Sequence, residues 1–418
     1  MVEKWHINEK FLKLWAHNLL KILNERFREL VVPLIVLGLS GSPIVTALVL
    51  LSQQLGTVLF AIPIGTWIEK KNPIFVSSSC SMLYAVLIFS LAYIVSVDSV
   101  SPVLIACILF LIGLVGLIQQ TAFQVMIPRV VGRNNLLSAH NLLEGADAFV
   151  TLIGPSIGGF LLAYYGASFT LVVCGCLMAI STLFISVVRY KHSKSTATSE
   201  TKHIKEKVFE FTERAKEGVQ YLFANSSQKG STIAAVCLSF ATVFMILSII
   251  FHSRTTLHLS EQYIGILLSF AGLGNVIGVL IMNRFKKVNW LFFLSTLLIL
   301  SSVGVLCLLS SHFIVMCIGM MIFDGALSMG FVVQLSVQQG ITPDSLLARV
   351  RSAMYVIAGI ASICATLLAG VFTEWNSYVA LIFGGLMLLL PALYILRYKD
   401  SSVKMDQIKP IYMDGRKS

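Results

Sequence analysis

Lys21, Glu25, Arg28 and Glu29 lie in an otherwise apolar stretch near 12–38, and at about 100° per residue they share roughly one 100° sector of a helix. Arg26 adds a fifth charge between 21 and 29. Spacings of three and four residues bring Lys21 to Glu25, and Glu25 to Arg28, within pairing reach. Such a face can bind an ionic or polar solute. It can equally close on itself as an ion-pair ladder, with the true span nearer 22–40 and Lys21 at the interface. A charge in a bilayer core costs about 2.5–3.5 kcal/mol on insertion scales, so charged residues there face cavities or partners rather than lipid. Asp324, in Met321-Ile322-Phe323-Asp324-Gly325, has no basic residue close in sequence and suits taking up and releasing a proton. The alternative for it is a hydrogen-bonded packing carboxyl.

The elements that must hold these groups are membrane helices. Of 418 residues, 56% are hydrophobic and only 12% charged, with a mean hydropathy of +0.85, where soluble domains carry about 25% charged residues. A crossing needs roughly 20 residues of helix. Apolar runs between charged or Pro, Gly and Asn breaks place twelve of them, near 12–38, 44–67, 74–97, 101–126, 140–164 and 168–188, then 231–252, 262–283, 289–310, 312–337, 352–373 and 377–397. The polar stretch from Arg189 to Lys229 divides the chain. The expected organisation is a six-helix bundle over 1–190, a cytoplasmic linker over 191–229, a second six-helix bundle over 230–398 and a tail over 399–418. Within the linker, Val208, Phe211, Ala215, Val219, Leu222 and Phe223 recur at helical spacing, so Lys205 to Phe223 reads as an amphipathic helix packed at the membrane face.

Charge placement orients the chain. One set of alternate loops receives Lys4, Lys10, Lys13, Lys70, Lys71, Arg129, Arg133, the linker, Arg284, Lys286, Lys287, Arg349, Arg351 and the tail, whereas the other receives Arg254. The positive-inside rule puts both termini and the linker in the cytoplasm. It also explains the formal net charge of +11 without nucleic acid. The eight cysteines fall in apolar stretches without ligand spacing, and the N-terminus lacks the order of a cleavable signal peptide. His252 and His258 flank Arg254, a conceivable metal site but more simply a solvated face. No phosphate-binding glycine loop, zinc-protease pair or nucleophile elbow is present, which excludes the usual enzyme and ATP-driven machinery. No cofactor or metal is expected.

Two motifs are mechanical. Gly65-Thr66-Trp67-Ile68-Glu69-Lys70-Lys71-Asn72-Pro73 puts a small residue one turn before an acid–base cluster on the loop after span two. Gly154-Pro155-Ser156-Ile157-Gly158-Gly159 combines small residues that permit close helix approach with a proline that frees a backbone carbonyl. The first resembles the loop signature of the major facilitator superfamily, with Glu69 in place of the common aspartate and Asn72-Pro73 in place of the later glycine and basic pair. The second is similar to the antiporter signature of that superfamily. Together with Asn135-Leu136-Leu137-Ser138-Ala139, Tyr263 to Ser269 with Gly272, Gly274 and Gly278, and Pro343-Asp344 to Ser352, the layout resembles the macrolide-efflux-like branch of drug:proton antiporters over nearly the whole chain.

That resemblance implies a major facilitator fold with a central cavity lined mainly by spans one, four, seven and ten, worked by alternating access. It makes Gly65, Glu69, Lys70, Gly154, Pro155, Gly158 and Gly159 conformational elements. Lys21, Arg28, Glu29, Gln119, Gln120 and Gln124 become cavity candidates, with Gln53 and Gln54 on span two as neutral hydrogen-bonding groups. Glu144 and Asp147 can join Arg129 or Arg133 in an inner gate. Asp324 and Glu25, which falls near an acid often found in the first helix of the branch, are the proton-coupling candidates. Neighbouring cations stabilise a carboxylate, so a Glu25 clamped by Arg28 makes a poor proton carrier. That shifts coupling to Asp324 and favours an anionic or zwitterionic substrate. Span four lacks the arginine common in proton-coupled exporters of the superfamily, which weighs against proton antiport. The resulting expectation is a monomeric transporter of a bacterial plasma membrane that exports a small amphipathic compound against protons. Metabolite uptake by the same fold, or a non-transporting receptor or scaffold, stays open.

Overall fold

The computed structural model describes residues 9–60, 64, 67, 68, 71–97, 101–132, 136–188, 217–285, 287–401 and 403–411. The described chain is helical almost throughout: α1 (Glu9–Ser40), α2 (Pro43–Val58), α3 (Pro73–Val95), α4 (Pro102–Val131), α5 (Leu136–Ser186), α6 (Ser226–Phe251), α7 (Glu261–Met282), α8 (Trp290–Leu308), α9 (Phe313–Ile341), α10 (Asp344–Trp375) and α11 (Ser377–Ile395). Gly166, at φ 78°, kinks α5 into two arms. A left-handed backbone there suits glycine alone, and it turns one long apolar run into two spans. With α5 counted as two, the described residues supply twelve helical segments, one for each of the twelve apolar runs. Nine helices among the described residues are long and apolar enough to cross a membrane by composition, and Pro43–Val58 is a shorter apolar helix. α1 falls outside that set, since its apolar run is broken by the charges at 21–29.

Helix starts follow local chemistry. Ser42-Pro43, Asn72-Pro73 and Ser101-Pro102 each put a capping residue before a proline whose missing N–H costs nothing in the first turn. Asn72 Oδ1 accepts from the Ile74 N–H at 3.1 Å. The Asn-Pro pair that departs from the superfamily's loop pattern therefore has a structural use: it starts α3.

The chain packs as two compact units. The first comprises Met1–Ser193, Ile250–Gly272 and Ala369–Ser377; the second comprises Lys194–Ile249, Leu273–Leu368 and Tyr378–Ser418. In the first, α1 and α3 lie against α5, and α2 and α3 against α4. α2 and α4 touch through glycines: a Cβ at Gly113 would collide with the Gln53 carbonyl, and one at Gly56 with Phe110. Gly113→Leu should therefore cost about 1–3 kcal/mol through overpacking, read as a lower melting temperature of the detergent-purified protein.

Segments 250–272 and 369–377 are sewn into the first unit by polar contacts. Ser42 Oγ donates to Glu374 at 2.7 Å, and the Ile44 N–H reaches the same oxygen at 3.2 Å. Ser156 Oγ meets Ser269 Oγ at 2.7 Å; within 250–272 itself, Arg254 pairs with Glu261 at 2.9 Å. His252 is buried against Ser377 at 2.7 Å rather than on a solvated face, because a π-helical turn, His252–Thr256, prolongs α6 through it.

In the second unit, α8 packs along α9. Of the expected amphipathic helix, 205–216 lies outside the described residues, while 217–222 is helical. Tyr221 is buried there and donates to the Ile341 and Ile411 carbonyls at 3.0 and 2.6 Å, and Glu217 pairs with Arg349. Residues 217–222 are thus anchored on α9 and α10.

Candidate functional site

The site is built on α1. His17, Lys21, Asn24 and Arg28 follow one another at helical spacing and share a sector of about 60°, so a single stripe runs about 16 Å along the helix. All four are buried, with Lys21 6% and Arg28 5% exposed. Apolar neighbours such as Phe11, Leu14, Leu30, Val31 and Leu34 hold the rest of the buried surface of α1 in the unit's core, which fixes the rotation of the helix.

Groups on facing helices meet the stripe at His17, Lys21 and Arg28. His17 Nε2 meets Gln119 Nε2 at 2.8 Å, so this ring nitrogen accepts from the amide. Its Nδ1 lies 2.6 Å from Ser181 Oγ and 3.0 Å from the Ser181 carbonyl, leaving Nδ1 as donor. Lys21 Nζ donates to Gln120 at 2.6 Å and pairs with Glu25 at 3.2 Å. Arg28 donates to Gln53 Oε1 at 2.5 Å. Tyr84 of α3, itself buried, brings its hydroxyl beside Asn24 and Arg28. Removing one member of the fully buried His17 pairing leaves buried polar groups unmatched, so His17→Ala should lower stability by about 1–3 kcal/mol. Equilibrium or thermal unfolding of the purified protein measures it.

The five charges between Lys21 and Glu29 of α1 thus do not form one self-compensating face. Glu29 is exposed and pairs with Arg26 at 2.8 Å, and Arg26 also reaches Asp147 of α5 at 3.2 Å. Glu25 is taken by Lys21. No described carboxylate lies within 4.0 Å of Arg28, so the Glu25–Arg28 pair allowed by spacing is not made. Side chains projecting from facing helices decide between partners that spacing alone leaves equivalent.

The remaining candidates fall as follows. Gln119 and Gln120 both face the stripe, whereas Gln124, one turn further, is exposed. Asp147 is committed to Arg26; Arg129 and Glu144 are exposed, and Arg133 lies outside the described residues. Gly65, Glu69 and Lys70 also lie outside the described residues. The Gly-Pro motif serves two neighbours: a Cβ at Gly154 would sit 3.0 Å from Arg26 Cβ, and one at Gly158 3.3 Å from Phe27 Cα, while Gly159 faces α7, 2.5 Å from the Glu261 carbonyl and 3.1 Å from Gly265 Cα. In the second unit, Asp324 is half-buried on α9 beside Gly325, whose backbone nitrogen lies 3.0 Å from the Cβ position of Gly274 on α7. Among the described residues no group of three or more His, Cys, Asp and Glu is placed to hold a metal ion.

His17, Asn24, Tyr84 and Ser181 join the site without belonging to any motif or charge cluster in the sequence. The repeat His17, Lys21, Asn24, Arg28 is a usable signal for the first two. Tyr84 and Ser181 belong to the site only through the packing of α3 and α5 on α1.

Long apolar helices around a buried polar stripe define a polytopic α-helical membrane protein built for transport. The sequence model of the Major Facilitator Superfamily matches residues 29–335 and 232–410. The chain belongs to the Major Facilitator Superfamily, and it is a transporter rather than an enzyme. The structure is similar to that of a bacterial homolog of the human lysosomal transporter Spinster, in an inward-facing and occupied conformation, with a TM-score of 0.70 at 13% identity over 95% of this chain and 97% of that one. It is also similar to a bacterial homologue of the iron transporter ferroportin in an inward-facing state, with a TM-score of 0.69 at 14% identity over 94% and 100%. The nucleoside transporter NupG gives 0.68 at 12% identity over 94% and 98%. At such identities the likeness concerns the fold. No curated protein sequence matches the chain.

Proposed function

We propose that the protein is a proton-coupled exporter of a small amphipathic compound, such as a drug, an antibiotic or a secondary metabolite, working as a monomer by alternating access in a bacterial plasma membrane with both termini in the cytoplasm. The observation that carries the coupling is Asp324, a carboxyl half-buried in an apolar helix. Protonation changes the cost of holding such a group in the membrane, and a proton taken from one side and released to the other biases a conformational equilibrium. Glu25 pairs with Lys21 at 3.2 Å. Export is supported by the antiporter-like Gly154-Pro155 to Gly159 segment, and the lysine–arginine asymmetry of the loops supports the orientation. The linear halves 1–190 and 230–398, joined by 191–229 and followed by the tail 399–418, are the proposed bundles. Lys21, Arg28, Gln119 and Gln120 are the proposed substrate-side residues.

Accumulation of a panel of fluorescent amphipathic compounds in cells that lack or overproduce the protein tests this reading. Overproduction should lower accumulation of at least one compound, and a protonophore should restore it. Raised accumulation would establish uptake instead, and an unchanged panel would count against transport of this compound class.

A further inference from the structure

A buried cation with no described carboxylate within 4.0 Å stands out in the first unit, Glu25 and Glu29 acting on it only at longer range. Along the stripe of α1, Lys21 is matched by Glu25, and Arg26 by Glu29 and Asp147. Arg28, 5% exposed, has only the neutral Gln53 amide as a hydrogen-bond acceptor of ordinary geometry, and its Nε has none. One turn away, Asn24 is fully buried, and neither its amide oxygen nor its amide nitrogen makes a hydrogen bond of ordinary geometry. The Tyr84 hydroxyl adjoins both side chains. Charged guanidinium, amide and phenol groups therefore converge on one spot with donor capacity left over.

A cation held in a membrane helix without a direct ion pair is costly, and the packing of α1 leaves this one in place. A guanidinium offers two parallel N–H groups that match the two oxygens of a carboxylate or phosphate. Tyr84 and Asn24 can each donate a further hydrogen bond to the same oxygens. A cationic ligand would meet repulsion at this position, and a neutral one would leave the charge unmatched.

We propose that Arg28, with Asn24 and Tyr84, is a recognition site for an oxyanion, the carboxylate or phosphate group of the transported compound. The proposal rests on the reading of the protein as a transporter and names its substrate class: an amphipathic anion, or a zwitterion presenting its acidic end to α1. An anionic lipid headgroup carries the same chemistry, so the test separates the two sources.

The thermal stability of the purified full-length protein is measured with 4-phenylbutyrate, with its uncharged amide and with inorganic phosphate in neutral detergent, and also in nanodiscs of phosphatidylglycerol against phosphatidylcholine. The expected result is stabilisation of the wild type by phenylbutyrate or phosphate and none by the amide. Arg28→Gln should bind the anion at least about tenfold more weakly, with Arg28→Lys in between. Without ligand, Arg28→Gln should melt no lower than the wild type, because it removes a buried charge that has no direct ion pair. Stabilisation by phosphatidylglycerol alone, lost in Arg28→Gln, supports the oxyanion site with lipid as its occupant. Absence of stabilisation by any anion, or stabilisation that Arg28→Gln retains in full, overturns the proposal. So does an unliganded Arg28→Gln that melts well below the wild type, since Arg28 is then a structural anchor. Binding is read without a proton gradient, so failure of proton-coupled export and failure of the oxyanion site are separate outcomes.

Discussion

Asp324→Asn is expected to abolish proton-driven export while leaving substrate exchange intact. Asparagine keeps the volume and the hydrogen-bonding capacity of a protonated carboxyl but cannot lose a proton, so the helix packing around Gly274 and Gly325 is retained and the titrating step is lost. Coupling free energies of about 1–3 kcal/mol correspond to about 5–150-fold effects, so substrate flux driven by a pH gradient should fall at least about tenfold. Counterflow of labelled against unlabelled substrate, which needs no net proton movement, should continue. Loss of both activities would instead mark Asp324 as a packing or substrate-binding group, and retention of gradient-driven flux would remove it from coupling.

The second large effect is expected at Gly159. Its Cβ position lies 2.5 Å from the Glu261 carbonyl and 3.1 Å from Gly265 Cα, backbone atoms that cannot swing aside. Gly159→Leu should therefore separate α5 from α7 at a cost of about 1–3 kcal/mol or more, and even Gly159→Ala should destabilise. Gly38, in α1, is the contrast: nothing lies within 4 Å of its Cβ position, so Gly38→Ala should be neutral or gain up to about 1 kcal/mol from helix propensity. Melting temperatures of the three variants in one detergent check the ordering. A Gly159→Leu protein as stable as the wild type would show that the close approach is dispensable.

How much of this was legible beforehand differs from residue to residue. Twelve apolar runs and the charges of α1 are explicit in the sequence, because a bilayer demands long apolar helices and makes every charge within them conspicuous. The assignment of partners is not. By spacing, Glu25 serves Lys21 and Arg28 equally well, and only Gln120 and Gln53 on facing helices separate them. Asp147 reads as a gate acid beside Arg129, yet it meets Arg26 across the α1–α5 crossing, a contact between residues 121 apart in sequence. The Gly-Pro motif reads as close packing, but that Gly154 and Gly158 serve α1 while Gly159 serves α7 depends on the rotation of α5. Gln119, Gln120 and Gln124 look alike in sequence. Gln124 shares a face with Gln120 but sits about 6 Å further along the helix, where it is exposed, while the first two meet the stripe.

The most direct test of proton-coupled export is a flux measurement on the protein reconstituted into liposomes with a pH-sensitive dye inside. Once an exported compound has been found in cells, adding it outside vesicles with no initial pH gradient should drive protons outward as it enters, so that the lumen becomes alkaline. The signal should require substrate and be absent with Asp324→Asn. Substrate uptake of normal rate with no change in internal pH would contradict the account.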